Sequence, residues 1–200
     1  MHIFGLVGRS GSGKTTLMEH LLPIVRARGL TVSTVKHAHH GFDIDKPGKD
    51  SWRHREAGAE EVLLISGGRW ALLHEVHDDR EPSLAELLPR LAPVDLVLVE
   101  GFHSHGLPSI EVHRPSAGHP LMWHPGSHIV AVASDEPIDV LGVPRLDLNR
   151  PDCVAAFILA RIKPVCAGMP RSMPIATAAS ASVRDRTVDY AVGAPLSGAV

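Results

Sequence analysis

The chain has 200 residues, of which 44% are hydrophobic, enough for one well-buried core and, by length, one domain. Lys and Arg total 20 against 22 Asp and Glu, so no basic field of the kind that holds nucleic acid is available, and no apolar run approaches the roughly 18 residues of a membrane span. Cys153 and Cys166 are the only cysteines and share no C-x-x-C spacing, which excludes a disulfide framework and a four-sulfur zinc site; a soluble cytoplasmic protein is expected.

His2 to Val7 is short and apolar and reads as a strand. It runs into Gly8-Arg9-Ser10-Gly11-Ser12-Gly13-Lys14-Thr15, which fits the Walker A pattern G-x-x-x-x-G-K-[ST], and a helical pattern follows. Strand before and helix after are the context that a phosphate-binding loop requires. Its glycines let successive backbone N–H groups turn inward around a triphosphate, and the next helix points its positive end at the same charge. Lys14 is expected on the β- and γ-phosphates and the Thr15 hydroxyl on Mg²⁺. Leu17, Leu21, Leu22, Ile24 and Val25 recur at helical spacing up to Gly29, a C-terminal cap, and Thr31 to Val35 alternates as a second strand. Strand, helix and strand form a crossover unit with parallel strands.

Lys36 to Asp50 is rich in His, Asp, Lys and Gly and reads as a functional loop, after which Ser51 opens a short helix ended by Gly58. Val62 to Ile65 and Trp70 to Val76 flank Gly67-Gly68 as a hairpin. Ser83 and Glu86 make a capping box for a helix carrying Leu84, Leu87, Leu88 and Leu91. Val94 to Glu100 is a nearly continuous apolar run, as expected of a parallel strand covered on both faces. Ser109 to His113 and Ile129 to Ala133 are further strands, and a last helix is expected from Pro151 to Ile162. Residues 163–200 lack any period and are expected to form a disordered or loosely structured tail behind a nucleotide-binding domain of residues 1–162. The expected fold class is α/β: a P-loop NTPase fold with a mostly parallel twisted sheet, helices on both faces and a β-hairpin insertion.

Three further groups carry chemistry. Glu100 ends a buried strand, where a carboxylate sits beside Mg²⁺ or orients the attacking water; the alternative is an ordinary charged strand terminus. His37, His39 and His40 lie within four positions, which suits either a metal site or hydrogen bonds to phosphate from a surface loop. Asp135 ends a predicted strand on the ligand side, where it either accepts from N1 and N2 of guanine or caps a turn.

The phosphate loop, the loop from Lys36 to Ser51, the run Trp52-Arg53-His54-Arg55-Glu56-Ala57-Gly58-Ala59 and the strand end Leu96 to Phe102 together resemble the molybdopterin-guanine dinucleotide biosynthesis protein B (MobB) family. The similarity extends from residue 2 to about residue 162, and the histidine- and glycine-rich loop is its most specific part. The resemblance implies a GTP-binding protein with Mg²⁺ as its companion ion, usually a homodimer. It also implies weak GTPase activity in support of a separate guanylyltransferase that attaches GMP to molybdopterin. Residue by residue, it implies that Gly8, Gly11, Gly13, Lys14, Thr15 and Thr16 hold the phosphates and Mg²⁺, with Ser10 and Ser12 in the same loop. Asp45 and Glu100 are implied as the carboxylates facing the metal, and Lys36, His37, His39, His40, Lys46, Lys49 and Asp50 as the rest of the rim. Lys46, Lys49, Arg53 and Arg55 form a positive cluster suited to a molybdopterin phosphate or an acidic partner face. Competing readings are a nickel-metallochaperone GTPase, suggested by the histidines, a small-molecule kinase with Arg53 and Arg55 in its lid, and a module that senses GTP without turnover.

Overall fold

Strands that are apolar on both faces must be covered on both, and this requirement organises the chain. The computed structural model describes residues 1–38, 41–77, 80–102, 106–140 and 142–162; His39, His40 and the expected tail 163–200 lie outside the described residues. In chain order the elements are β1 (His2–Val7), α1 (Lys14–Ala27), β2 (Val32–Lys36), α2 (Asp50–Glu56), β3 (Glu61–Ile65) and β4 (Trp70–His74). Next come α3 (Leu84–Leu87) with a 3-10 turn (Leu88–Arg90), β5 (Leu96–Glu100), β6 (Ser109–His113), a second 3-10 turn (Pro115–Ala117), β7 (Ile129–Ser134), β8 (Arg145–Asp147) and α4 (Pro151–Leu159).

Six strands form one sheet in the order β2-β5-β1-β6-β7-β8, with every neighbouring pair parallel. β1 is central: Leu6 pairs with Glu100 on one side and Ile110 on the other. Leu17, Leu21 and Val25 of α1 and Val154 and Ile158 of α4 pack on Phe4, Leu6, Leu98 and Ile110, and each such buried side chain contributes about 1.5–3 kcal/mol. The opposite face is covered differently. α3 and its 3-10 turn bring Leu84, Leu88 and Leu91 onto Val97 and Val99, while Leu121, Met122, Trp123 and Ile138, from irregular connections, cover Val7, Ile129 and Val132. The buried Glu111 of β6 makes this loop cover possible, because its carboxylate accepts from the Met122 and Trp123 N–H groups at 2.7 and 2.8 Å.

The hairpin is a separate two-stranded antiparallel sheet, closed where the Ser66 N–H donates to the Arg69 carbonyl at 2.9 Å. Its register sets Leu63 opposite Leu72 and Ile65 opposite Trp70, so these four share a face. Several boundaries differ from the sequence reading. The capping box forms, but α3 stops after four residues because Pro89 has no N–H to continue the ladder. β4 ends at His74 and α4 at Leu159, β5 begins only at Leu96, and β8 is an unexpected edge strand paired with β7 from Val132 to Ser134. Among the described residues no helix is long and apolar enough to cross a membrane.

Candidate nucleotide site

Parallel strands deliver their C-terminal ends to one edge, and that edge collects the residues of interest. The phosphate loop leaves β1 through Gly8 (φ 149°), where a Cβ would run into the Val112 carbonyl oxygen and lie 2.8 Å from Ser12 Oγ. It enters α1 through Gly13 (φ 95°), which caps the helix without a side-chain hydrogen bond, so the first-turn N–H groups are left for a ligand. Lys14 folds back over the loop and its Nζ donates to the Gly8 and Arg9 carbonyls, each at 2.9 Å. Burial lowers the Lys14 pKa, an effect opposed by the Glu100 charge and reinforced by Lys36. The buried Ser12 hydroxyl lies inside the loop without a hydrogen-bond partner.

Thr15 Oγ1, in the first turn of α1, donates to Glu100 Oε1 at 2.9 Å, and Lys36 Nζ stands 3.7 Å from the same oxygen. Glu100 is buried at the end of β5. The next residue, Gly101 (φ 98°), lets the chain pass close to β2's exit: a Cβ there would sit 3.2 Å from the His37 carbonyl oxygen. The His37 N–H donates to the Glu100 carbonyl at 2.8 Å, and its ring packs on Phe102 and meets Glu81 through Nε2. Between these groups opens a cavity of about 800 Å³, walled by Gly8, Lys14, Lys36, His37, Glu100 and Met122.

A sequence model for molybdopterin guanine dinucleotide synthesis protein B, MobB, matches residues 3–135, well over half of the chain. The chain belongs to the MobB family. It is 43% identical over 153 residues to the molybdopterin-guanine dinucleotide biosynthesis adapter protein of Escherichia coli (strain K12), covering 75% of this chain and 87% of that protein. The protein of the same name from Haemophilus influenzae (strain ATCC 51907 / DSM 11121 / KW20 / Rd) is 42% identical over 157 residues, covering 78% and 86%. A crystal structure of molybdopterin-guanine biosynthesis protein B (mobB) superimposes with a TM-score of 0.62 at 33% identity over 79% of this chain and 98% of that one. Bacillus subtilis MobB, at 24% identity and a TM-score of 0.66 over 82% of this chain and 99% of that one, shares the fold.

This MobB chain brings together Gly8, Ser10, Lys14, Lys36, His37 and Glu100 around the cavity, with Thr15 against Glu100; Gly11 and Thr16 are exposed beside them. Asp45 does not line that cavity. Its Oδ1 accepts from the Ser51 hydroxyl and the Lys46 N–H, both at 2.9 Å, and its Oδ2 stands 3.6 Å from Arg55 Nε. Arg55 in turn bridges Asp43 and Glu75 at 2.9 Å each, so it is committed to holding the loop rather than standing free as a lid arginine. Lys46, Lys49, Asp50 and Arg53 are exposed around the start of α2. Asp135 faces protein: its Oδ2 is ion-paired with Arg114. His39 and His40 lie outside the described residues, and among those described no three His, Cys, Asp or Glu side chains converge as a metal site. Sequence reasoning missed Arg114 and Met122. The signal available for Arg114 was its position one residue past a buried parallel strand, at the edge where the phosphate loop also lies.

Proposed function

We propose that this MobB family member is a GTP-binding adapter with weak GTPase activity that assists a separate guanylyltransferase in attaching GMP to molybdopterin, in the cytoplasm. Its family assigns it to molybdopterin-guanine dinucleotide biosynthesis, and the guanine of that product is the ground for GTP as the ligand. The observation that carries the reading is the Thr15 hydroxyl donating to the buried Glu100 carboxylate under the phosphate loop. Mg²⁺ prefers oxygen donors, keeps several waters and is held by one or two protein oxygens plus substrate phosphates, and this all-oxygen pair fits it. When bound there, Mg²⁺ supplies positive charge against the β- and γ-phosphates.

The rest is done by the chain. The loop amides and the first-turn N–H groups of α1 hold phosphate oxygens, and Lys14 exchanges its two carbonyl contacts for the β- and γ-phosphates. Glu100 orients the attacking water, while Lys36 and His37 close the rim. Asp45 acts at a remove, fixing the loop through Ser51 and Arg55. The exposed hairpin face of Leu63, Ile65, Trp70 and Leu72 supports a homodimer. Lys46, Lys49 and Arg53 form the surface that meets the guanylyltransferase or molybdopterin.

The test is guanylyl transfer to molybdopterin by the partner enzyme, assayed with wild-type chain, with Lys14→Ala, and with Lys46, Lys49 and Arg53 all changed to Ala. Stimulation should fall with Lys14→Ala through lost GTP, and with the triple variant at matched GTP occupancy. Equal stimulation by all three proteins contradicts the reading.

A further inference from the structure

β1, β6 and β7 end side by side, and they lead into the phosphate loop, Arg114 and Asp135 respectively. Arg114 Nε donates to the Ser12 carbonyl at 3.2 Å, and the Nε–Nη2 edge of its guanidinium abuts Gly13: a Cβ at Gly13 would sit 3.3 Å from Nε and 3.5 Å from Nη2. The Ser12 carbonyl and the Gly13 N–H belong to one planar trans peptide and point in opposite directions. Drawing that carbonyl outward onto Arg114 therefore aims the Gly13 N–H inward, toward a bound phosphate. On its far side Arg114 is paired through Nη1 with Asp135 Oδ2.

Asp135 is itself fixed. Its carbonyl accepts from Asn149 Nδ2 at 3.3 Å, and the neighbouring Ser134 hydroxyl accepts from the Glu136 N–H at 3.3 Å. Its Oδ1 is buried and without a hydrogen-bond partner, shut into the protein instead of turned to the cavity. We propose that Arg114 and Asp135 form a brace that sets the shape of the phosphate loop, so that nucleotide affinity depends on the pair through the phosphates and not through the base. Only arginine can do this, because its planar fork reaches the loop carbonyl and the carboxylate at once, whereas a lysine ammonium supplies one point of contact. The proposal rests on the reading of the loop as a nucleoside triphosphate site.

The test is calorimetric titration with Mg·GTP, Mg·ATP and inorganic triphosphate, on wild-type chain, Arg114→Ala, Arg114→Lys, Asp135→Asn and the Arg114→Ala/Asp135→Asn double variant, with Lys14→Ala as the control for the site. Arg114→Ala should weaken all three ligands by a common factor of about ten, the size of one lost charged hydrogen bond. Arg114→Lys should be nearly as weak, and the double variant no worse than Arg114→Ala, since both changes remove one brace. Melting temperatures without ligand separate these losses from unfolding, and the isosteric Asp135→Asn carries the test if Arg114→Ala does not fold. Full affinity in Arg114→Lys, or a changed GTP-to-ATP ratio with triphosphate binding intact, overturns the brace. If Lys14→Ala also binds GTP as wild type does, the site reading fails with it; if only Lys14→Ala is impaired, the brace alone fails.

Discussion

The six-stranded sheet and the β3–β4 hairpin are written in nearly the same residues and end in opposite environments. Leu96 to Val99 of β5 are at most 1% exposed, because β1 and β2 flank the strand and helices or loops cover both faces. In the hairpin, Leu63, Ile65 and Trp70 are 55%, 76% and 67% exposed, since each strand has only the other as neighbour. A two-stranded ribbon is marginal in water, and an apolar face of this kind marks an association surface. Under the proposed function the contrast divides the labour: the sheet edge would hold the nucleotide within one chain, and the hairpin face would pack on a second copy.

The sharpest way to break that division is to charge the hairpin. Ile65→Asp should convert a dimer to a monomer in analytical ultracentrifugation. Each of the two symmetric copies loses about 1.5–3 kcal/mol of side-chain burial, together on the order of a hundred- to ten-thousand-fold in dimer Kd. GTP affinity per chain should be unchanged. A wild-type chain that sediments as a monomer, or a GTP affinity that falls with the dimer, contradicts the division. On the sheet edge, Glu100→Gln should cut GTP turnover by about a hundred-fold while leaving the fold and most of the nucleotide affinity, because the lost charge matters most in the transition state. Equal steady-state hydrolysis removes Glu100 from the reaction.

A smaller effect lies between the two regions, at the cap of α3. Hydrogen bonds from Arg80, then from the Ser83 hydroxyl and backbone, hold the Glu86 carboxyl down to about 2 from 4.5. A depressed folded pKa contributes stability above the unfolded value that is lost as pH falls, so α3 should loosen between about pH 4.5 and about 2. Amide protection across Leu84–Leu87, measured against the intrinsic exchange rate at each pH, should fall as pH drops through that window in wild type, and Glu86→Gln should flatten the dependence.

How much of this was legible depended on how local the signal was. The phosphate loop, β5 with its terminal Glu100, and the hairpin around Gly67-Gly68 are each specified by about fifteen or fewer consecutive residues, and all three form, with strand ends shifted by one or two residues. β8 was not, because Arg145-Leu146-Asp147 offers one apolar residue and exists as a strand only by pairing with β7. Asp45 and Asp135 show the same limit in the site. Both stand in loops that reach the ligand edge, but Ser51 and Arg55 hold one and Arg114 holds the other, partners that no periodicity points to. Sequence pattern locates strand ends; which side chain wins a given carboxylate is decided by tertiary contact.

The most direct measurement is a titration of wild-type chain and Lys14→Ala with Mg·GTP by calorimetry. Lys14 offers the phosphates a charge-assisted contact of roughly 1.5–3 kcal/mol, so Lys14→Ala should bind GTP about ten- to a hundred-fold more weakly than wild type, with its fold intact. Equal GTP affinity in the two proteins contradicts a nucleotide site at the end of β1.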